Sequence, residues 1–423
     1  MAFDKPSSKA TGDKKPVSKV LSAMSDSPIT KMRAHLIAKK GKEYENIRVA
    51  LSDETLRQSL PHISSGSITI DFLIGGEPNM FGVAPCPGFP RGRVAQIWGH
   101  EAAGKTTLCL SAVASVCKNG GTAVYIDWEN DIVPDYAAAL GVPIGDDTKF
   151  ELLQPETLED GIKYAMAYAA AGVDLIIFDS VGSAVPRRLA ERDVMEVAEQ
   201  GKIAELQSVW SQELPNLKNL IAQTGTAVVG ISQVRATMNQ MGAQTKPQGG
   251  NAWKFYSSVR IELTRIKSEG SKEHNLLTHR SDERIVGNIV KATAVKNKLS
   301  KSQGRQELFY TRHGEGIDNI RTMIEIASAH GLIKKSGSWL EWTNCPTGPL
   351  KMLGVEKFRK HFVENEAHRV ALYDRVMSLL GGGKSLEGFV TADPDDDEVV
   401  VPGLTEEPEE DGPDDGPDED LDV

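Results

Sequence analysis

The chain has 423 residues, 40% hydrophobic and 25% charged, which is enough apolar material to bury a large core. No apolar run approaches the roughly 20 residues that span a bilayer, the lysine-bearing N-terminal stretch has no apolar signal segment, and the four cysteines show no CxxC pairing. A membrane protein, a secreted one and a disulfide or zinc framework are therefore not expected, and a cytoplasmic location is. The formal charge of −11 is unevenly spread, because residues 393–423 hold sixteen acidic side chains and no Lys or Arg. The remainder has 48 basic against 43 acidic residues, a net +5 that permits a DNA partner without arguing for one.

Residues 1 to about 19 are polar and predict disorder. Helix spacing of Val20, Leu21 and Met24, then of Met32, Leu36 and Ile37, predicts a small appended helical element up to about Leu60. The Gly/Pro-rich stretch 75–92 predicts a loop. Apolar runs at 94–98, 122–127, 173–179 and 227–232 then alternate with helical patterns at Lys105–Lys118 and 157–171. Near-continuous apolar strands separated by helices predict an α/β core, a mostly parallel sheet covered on both faces. The less apolar runs 258–263 and 306–312 predict antiparallel additions to it. Residues 319–382 predict a compact, mainly helical module with a Trp-bearing turn between Ser338 and Trp342, and the acidic end is low-complexity. The expected domains are 1–60, 61–318, 319–390 and 391–423, and there is no internal repeat.

Gly99-His100-Glu101-Ala102-Ala103-Gly104-Lys105-Thr106 fits GxxxxGK[ST] and stands between a predicted strand and a predicted helix, the context that makes the pattern specific. Backbone N–H groups at the start of such a helix cradle phosphates. Lys105 can reach the β- and γ-phosphates of ATP, and the Thr106 hydroxyl can ligate Mg2+. Asp179 ends its strand at the carboxyl edge of the sheet, where ligands bind, and can orient Mg2+ through water. Read alone, it could also be a helix N-cap. Glu129 follows its strand by two residues, where a carboxylate can activate water. It is as well explained alone as a surface residue of a strand–helix loop.

Further stretches join the phosphate loop, and the last three of them are far more specific than it. The stretches are YIDWE with Tyr136 seven residues beyond Glu129, LIIFDSVGSAVP, GISQVR, GGNAWKFYSSVR, and VKNK followed by HGEGI. Through them the chain from about residue 63 to 342 resembles the RecA recombinases. The resemblance implies a RecA-like core with a small N-terminal oligomerisation element and a C-terminal α/β module. It makes Glu129 the catalytic base, places Tyr136 on the adenine beside the loop that ends in Thr107, and makes Gln233 a sensor of the γ-phosphate. Residues 234–250 match the second DNA-binding loop, with Arg235, Gly249, Gly250 and Asn251 as DNA contacts. Arg187 and Arg188 open the first loop, 187–202. Asn251, Lys254 and Phe255 fall in the helix that follows the second loop, Phe255 at an intersubunit position. Lys296 and Lys298 would reach into the neighbour's ATP site.

Read alone, these residues have plainer explanations. Gln233 could be a satisfied strand end, Lys296 and Lys298 a solvated strand face, Gly249–Gly250 a flexible turn and Phe255 a core aromatic. The chain also departs from the family pattern. Its first DNA loop is longer and carries Glu191, Glu196 and Glu199 beside Arg187, Arg188 and Arg192, its second is shorter and holds little basic charge beyond Arg235 and Lys246, and the 75–92 loop is long.

The function the resemblance implies is that of a DNA-dependent ATPase using ATP and Mg2+. It would form helical filaments of its own copies on single-stranded DNA and pair that strand with a duplex. Single-strand-binding and loader proteins are expected partners, and the compact size with an acidic tail suggests a bacteriophage member. A hexameric helicase of the same core, a small-molecule P-loop kinase and a non-catalytic DNA-binding scaffold are the alternatives. The helicase would normally use an arginine finger where this chain offers two lysines.

Overall fold

Residues 27–41, 57–191, 199–239, 242–274 and 281–381 are described by the computed structural model. Most of the expected N-terminal helical region, Arg192, Glu196 and the acidic segment lie outside the described residues, as do the side chains of 235–246 and 271–284. In chain order the elements begin with α1 (Pro28–Lys40), β1 (His62–Ile63), α2 (Ile68–Gly75), β2 (Phe89–Pro90), β3 (Val94–Gly99) and α3 (Lys105–Lys118). They continue with β4 (Ala123–Asp127), α4 (Pro134–Ala139), β5 (Phe150–Leu153), α5 (Leu158–Ala171), β6 (Leu175–Asp179), α6 (Arg187–Ala190) and α7 (Glu199–Thr224). Next come β7 (Ala227–Asn239), β8 (Gly242–Pro247), α8 (Gly250–Tyr256), β9 (Val259–His274), β10 (Ser281–Asn297), β11 (Gln306–Arg312) and β12 (Gly316–Ile317). The last are α9 (Asn319–Ala329), β13 (Lys334–Ser336), β14 (Trp339–Trp342), β15 (Leu350–Leu353), α10 (Val355–Glu364) and α11 (Glu366–Gly381).

Every residue of β3, β4 and β6 is buried, the pattern of strands covered on both faces. They lie in a parallel core of order β9-β3-β7-β6-β4-β5, extended antiparallel by β10, β11 and β12. Strand alternation sorts the side chains. Ala95, Ile97, Tyr125, Ile177 and Val229 pack with α2 and α3 on one face, while Val94, Val124, Ile126, Phe178 and Val228 pack with α5, α7 and α8 on the other. On the second face Trp128, Phe178, Trp210 and Trp253 form one aromatic cluster, with Trp128 stacked on Phe178 at 5.5 Å and Trp210 edge-on to Trp253 at 5.0 Å. Trp128 is partly buried, and its stacking on the fully buried Phe178 anchors the loop that follows β4.

Four expectations change. The run 258–263 is not simply an antiparallel addition: β9 first pairs parallel with β3 from Val259 to Leu263 and only its other edge pairs antiparallel with β10. The α8 crossover returns the chain in the direction of β3 and so permits this. Residues 234–247, expected as a loop, form an antiparallel hairpin of β7 and β8 running from Val234↔Pro247 to Asn239↔Gly242. The expected loop 187–202 contains the turn α6 and the start of α7. The predicted Trp-bearing turn is strand β14, centre of a three-stranded sheet with β13 and β15 that packs its own core with α9, α10 and α11. Within the expected N-terminal helical region, the described helix is α1, started by Pro28 after the Ser27 cap, and it buries none of its residues.

Candidate functional site

β3 ends at Gly99, where its neighbour leaves no room for a side chain: a Cβ there would lie 2.2 Å from the carbonyl oxygen of Leu263. The chain then turns through Ala102 at φ 57° and Gly104 at φ 79°, both left-handed, and enters α3 at Lys105. No side chain caps α3, so its first N–H groups remain available to an anion on the helix axis. Lys105 folds back over this turn and donates from Nζ to the His100 carbonyl at 2.9 Å, a place that a phosphate oxygen could take over. Burial lowers the Lys105 pKa from its usual value, while Asp179, Glu129 and Glu101 pull it back up. His100 and Glu101 stand exposed at the rim, and Ala103 is buried beneath.

Asp179, at the end of β6, meets this loop directly. Its Oδ2 accepts from Thr106 Oγ1 at 2.9 Å and from the Tyr125 hydroxyl at 2.6 Å. Burial pushes its carboxyl up to about 6, opposed by the Tyr125 hydrogen bond and reinforced by the nearby charge of Glu129. A cation at this point would relieve a carboxylate kept from water. Among the described residues no group of three or more His, Cys, Asp or Glu side chains could hold a metal ion. The Thr106–Asp179 pair instead suits an ion such as Mg2+ that keeps several waters and takes phosphate oxygens. Thr107 Oγ1 and the Tyr136 hydroxyl lie 2.8 Å apart and tie α3 to α4 beside the loop.

Glu129 is placed by the turn that follows β4. Asp127 Oδ1 accepts from the backbone N–H of Glu129 at 3.0 Å and of Asn130 at 2.9 Å, an Asx-type turn in which Asn130 adopts φ 56°. The Trp128 N–H donates to the Asp179 carbonyl at 2.7 Å, which pins this turn to the end of β6. Glu129 Oε1 accepts from Gln233 Nε2 at 2.8 Å and from Ser183 Oγ at 2.8 Å. Lys105, Thr106, Asp179, Glu129 and Gln233 thus gather at the carboxyl edge of β3, β4, β6 and β7. Sequence reasoning passes over Tyr125, Asp127 and Ser183. A tyrosine among apolar residues of a fully buried strand is a legible signal, since its hydroxyl must find a partner.

The other candidate residues stand elsewhere. Arg187 is ion-paired with Asp160, its N–H donating to Glu159 at 2.8 Å, and Arg188 faces Glu205 at 3.6 Å. Gly249 and Gly250 have φ of 96° and 80°, and a Cβ on Gly249 would lie 2.6 Å from Val181, so the pair is a built turn rather than a flexible one. Asn251 is exposed at the start of α8. Phe255, near the end of α8, is 66% exposed and not a core aromatic. Lys296 Nζ donates to the carbonyls of Lys254 at 2.7 Å and Phe255 at 3.1 Å, capping that helix end with a cation.

Register places Lys296 opposite Arg260, which pairs with Gln96, whereas Gly99 pairs with Leu263. Three strand steps, about 10 Å at the usual rise, therefore separate the lysine from the phosphate loop along the sheet. A bulge at Val295 interrupts strict alternation there. Lys298 is exposed just past the strand. The two lysines and Glu129 do not meet within one chain.

A family model of the RecA N-terminal domain matches residues 32–318. The chain is 34% identical over 334 residues to Protein RecA of Francisella tularensis subsp. novicida (strain U112), covering 78% of this chain and 84% of that protein. It shows the same identity and coverage with Protein RecA of Francisella tularensis subsp. tularensis (strain SCHU S4 / Schu 4).

Proposed function

The chain belongs to the RecA family, and from that premise we propose that it is a DNA-dependent ATPase that assembles as a helical filament on single-stranded DNA and pairs that strand with a homologous duplex. The observation that carries the coupling of hydrolysis to DNA is the 2.8 Å hydrogen bond from Gln233 to Glu129. It links the acid of the nucleotide site to the root of the β7–β8 hairpin, whose sequence resembles the family's second DNA-binding loop.

In this reading the first N–H groups of α3 and the Lys105 ammonium hold the phosphates of ATP, and Tyr136 packs on the adenine with Thr107 alongside. Thr106 would be a direct ligand of Mg2+ and Asp179 would hold it through water, the ion supplying positive charge against the phosphates when bound. Glu129 takes a proton from the water that attacks the terminal phosphorus. The bond from that phosphorus to the β–γ bridging oxygen breaks, releasing phosphate and ADP. Lys296 and Lys298 of an adjacent copy neutralise the charge that builds up on the phosphoryl group. Gln233 exchanges its bond to Glu129 for one to the terminal phosphate and so reports nucleotide state to the hairpin. Arg187, Arg188, Arg235, Gly249, Gly250 and Asn251 line the path of the DNA backbone, and sequence matching is left to base pairing.

Partners in this reading are single- and double-stranded DNA and further copies of the chain, in the cytoplasm, with single-strand-binding and loader proteins acting before assembly. Among the described residues no helix is long and apolar enough to cross a membrane. The test combines ATP turnover with and without single-stranded DNA and negative-stain images with a non-hydrolysable ATP analogue. Stimulated turnover and helical filaments are expected. Closed rings would favour the hexameric helicase, and turnover indifferent to DNA would overturn the coupling.

A further inference from the structure

Two donors hold Glu129, and only one of them has a part in the reaction described above. Gln233 Nε2 and Ser183 Oγ each lie 2.8 Å from the same atom, Oε1. Ser183 Oγ is itself 2.8 Å from Ser180 Oγ, and Ser180 is fully buried directly after Asp179. The serine pair is therefore fixed to the strand end that carries Asp179. Among the described residues no hydrogen bond reaches Glu129 Oε2.

This asymmetry has a chemical consequence. A carboxylate whose one oxygen is doubly occupied keeps the other as its proton acceptor, held in a fixed direction, which is what a general base needs. Gln233 is a poor permanent holder, because it is exposed and stands at the root of a hairpin. Once its amide turns to a phosphate oxygen, Oε1 keeps Ser183 alone. The 180–183 segment also touches the close of the hairpin. A Cβ on Gly182 would lie 2.3 Å from Gln248 Oε1, and the Gln248 N–H donates to the Gln233 carbonyl at 2.9 Å. Glu129, Ser183, Gly182, Gln248 and Gln233 thus close a ring of contacts in which Ser183 is the donor that does not lie on the hairpin.

We propose that Ser183 is a positioning residue for Glu129, holding Oε1 so that Oε2 receives the proton of the attacking water while Gln233 is engaged elsewhere. The inference rests on Glu129 being the base. A serine that merely satisfied its turn would affect folding and binding but would not separate kcat from KM.

The test is steady-state ATP turnover by the full chain at saturating single-stranded DNA, for wild type, Ser183→Ala, Ser183→Thr, Glu129→Gln and the Ser183→Ala/Glu129→Gln pair. Ser183→Ala should lower kcat roughly tenfold, the scale of one hydrogen bond to a charged group, with KM and DNA affinity unchanged. Ser183→Thr, which keeps the hydroxyl, should recover most of that loss. In the Glu129→Gln background the serine change should cost nothing further, as expected when one residue acts through the other. Wild-type kcat in a folded Ser183→Ala protein, or a loss that Thr fails to recover, would overturn the proposal while leaving Glu129 in place. Near-normal turnover by Glu129→Gln would instead overturn the base assignment on which it stands.

Discussion

The two edges of the central sheet are built on opposite principles. At the carboxyl edge the polar groups answer one another inside the chain: Thr106 and Tyr125 on Asp179, Gln233 and Ser183 on Glu129, Lys105 on its own loop. At the other edge cations gather, and among the described residues they meet carbonyl and amide oxygens but form no ion pair. After burial, the groups that weigh most on Lys296 are Lys298, Arg260, Lys218 and Lys254, all cationic and drawn from β9, α7, α8 and the end of β10. Arg260 is itself buried, its Nε donating to the neutral amide of Gln96 at 2.7 Å and its guanidinium 4.5 Å over the Trp98 ring. Phe255 projects beside this cluster. The first edge is satisfied within one chain, while the second gathers cations that, in the proposed reading, meet the phosphates of an adjacent copy. Two unlike surfaces of this kind are what a head-to-tail assembly requires.

The comparison breaks most visibly at Glu129. If the first edge carries the chemistry, Glu129→Gln should retain ATP and single-stranded DNA binding and lose turnover by roughly 10²-fold or more, the usual scale for a general base. Near-normal hydrolysis by a folded variant would leave that edge a structural junction. The second edge is tested next. The double variant Lys296→Ala/Lys298→Ala should bind nucleotide and hydrolyse it about tenfold to a hundredfold more slowly, as when charge stabilisation in a transition state is removed. Mixed with Lys105→Ala protein, it should regain part of the lost rate, because one class of interface then joins an intact phosphate loop to intact lysines. Demonstrated co-assembly with no regained rate would place the lysines outside the reaction.

Legibility in the sequence follows the same division. GxxxxGK[ST] between a strand and a helix announces the phosphate loop because Gly99 and Gly104 answer local backbone needs, a close strand neighbour and a left-handed turn. Apolar runs likewise announce β3, β4, β6 and the first half of β7. The position of Lys296 is not legible that way, since it depends on β9 pairing with β3 on one side and β10 on the other. The hairpin of β7 and β8 escapes because the alternation of Val234, Ala236 and Met238 is only three apolar residues long, and 242–247 offers no matching apolar run and ends in Pro. α7 escapes because Pro215 stands inside a 26-residue helix and reads as a breaker. Ser183 looks like an ordinary turn residue until Glu129, 54 positions away, is seen to accept its hydrogen bond.

The first edge is satisfied, yet it carries a cost that stability should reveal. Asp179 titrates near 3.8 when unfolded and is pushed up to about 6 by burial when folded. Below the unfolded value both states are neutral and nothing is lost. As pH rises from about 4 to 6 the folded state resists ionisation, and above 6 the full penalty remains. Asp179→Asn keeps an oxygen to accept from Thr106 and Tyr125 but carries no charge. In the absence of nucleotide it should stabilise the fold by about 3 kcal/mol above pH 7, from about two pKa units at 1.36 kcal/mol each. The gain should vanish toward pH 4, while Mg2+-dependent turnover is lost. Thermal melts at fixed scan rate across pH 4–8 give the comparison, and a gain that does not depend on pH would mean that packing, not charge, is responsible.

The smallest effect is the most specific to the second edge. Burial and its cationic neighbours lower the Lys296 pKa to about 8. The side chain is therefore charged below that pH and loses its proton as pH rises through it. If its charge serves phosphates on an adjacent copy, kcat/KM, which reports the free form, should fall on the alkaline side with a midpoint near 8. Lys298→Ala lowers the rate but removes the first of the like charges acting on Lys296. The midpoint should then move upward by a fraction of a pH unit. Added salt should move it the same way in wild type by screening the exposed members of the cluster, and should do less in Lys298→Ala, where less repulsion remains to be screened. A midpoint near 8 that moves neither with Lys298→Ala nor with salt would leave burial and the buried Arg260, not the exposed charges, as the cause of the shift. A profile flat from pH 7 to 9 would confine Lys296 to capping α8, and the gathered charge of this edge would need another explanation.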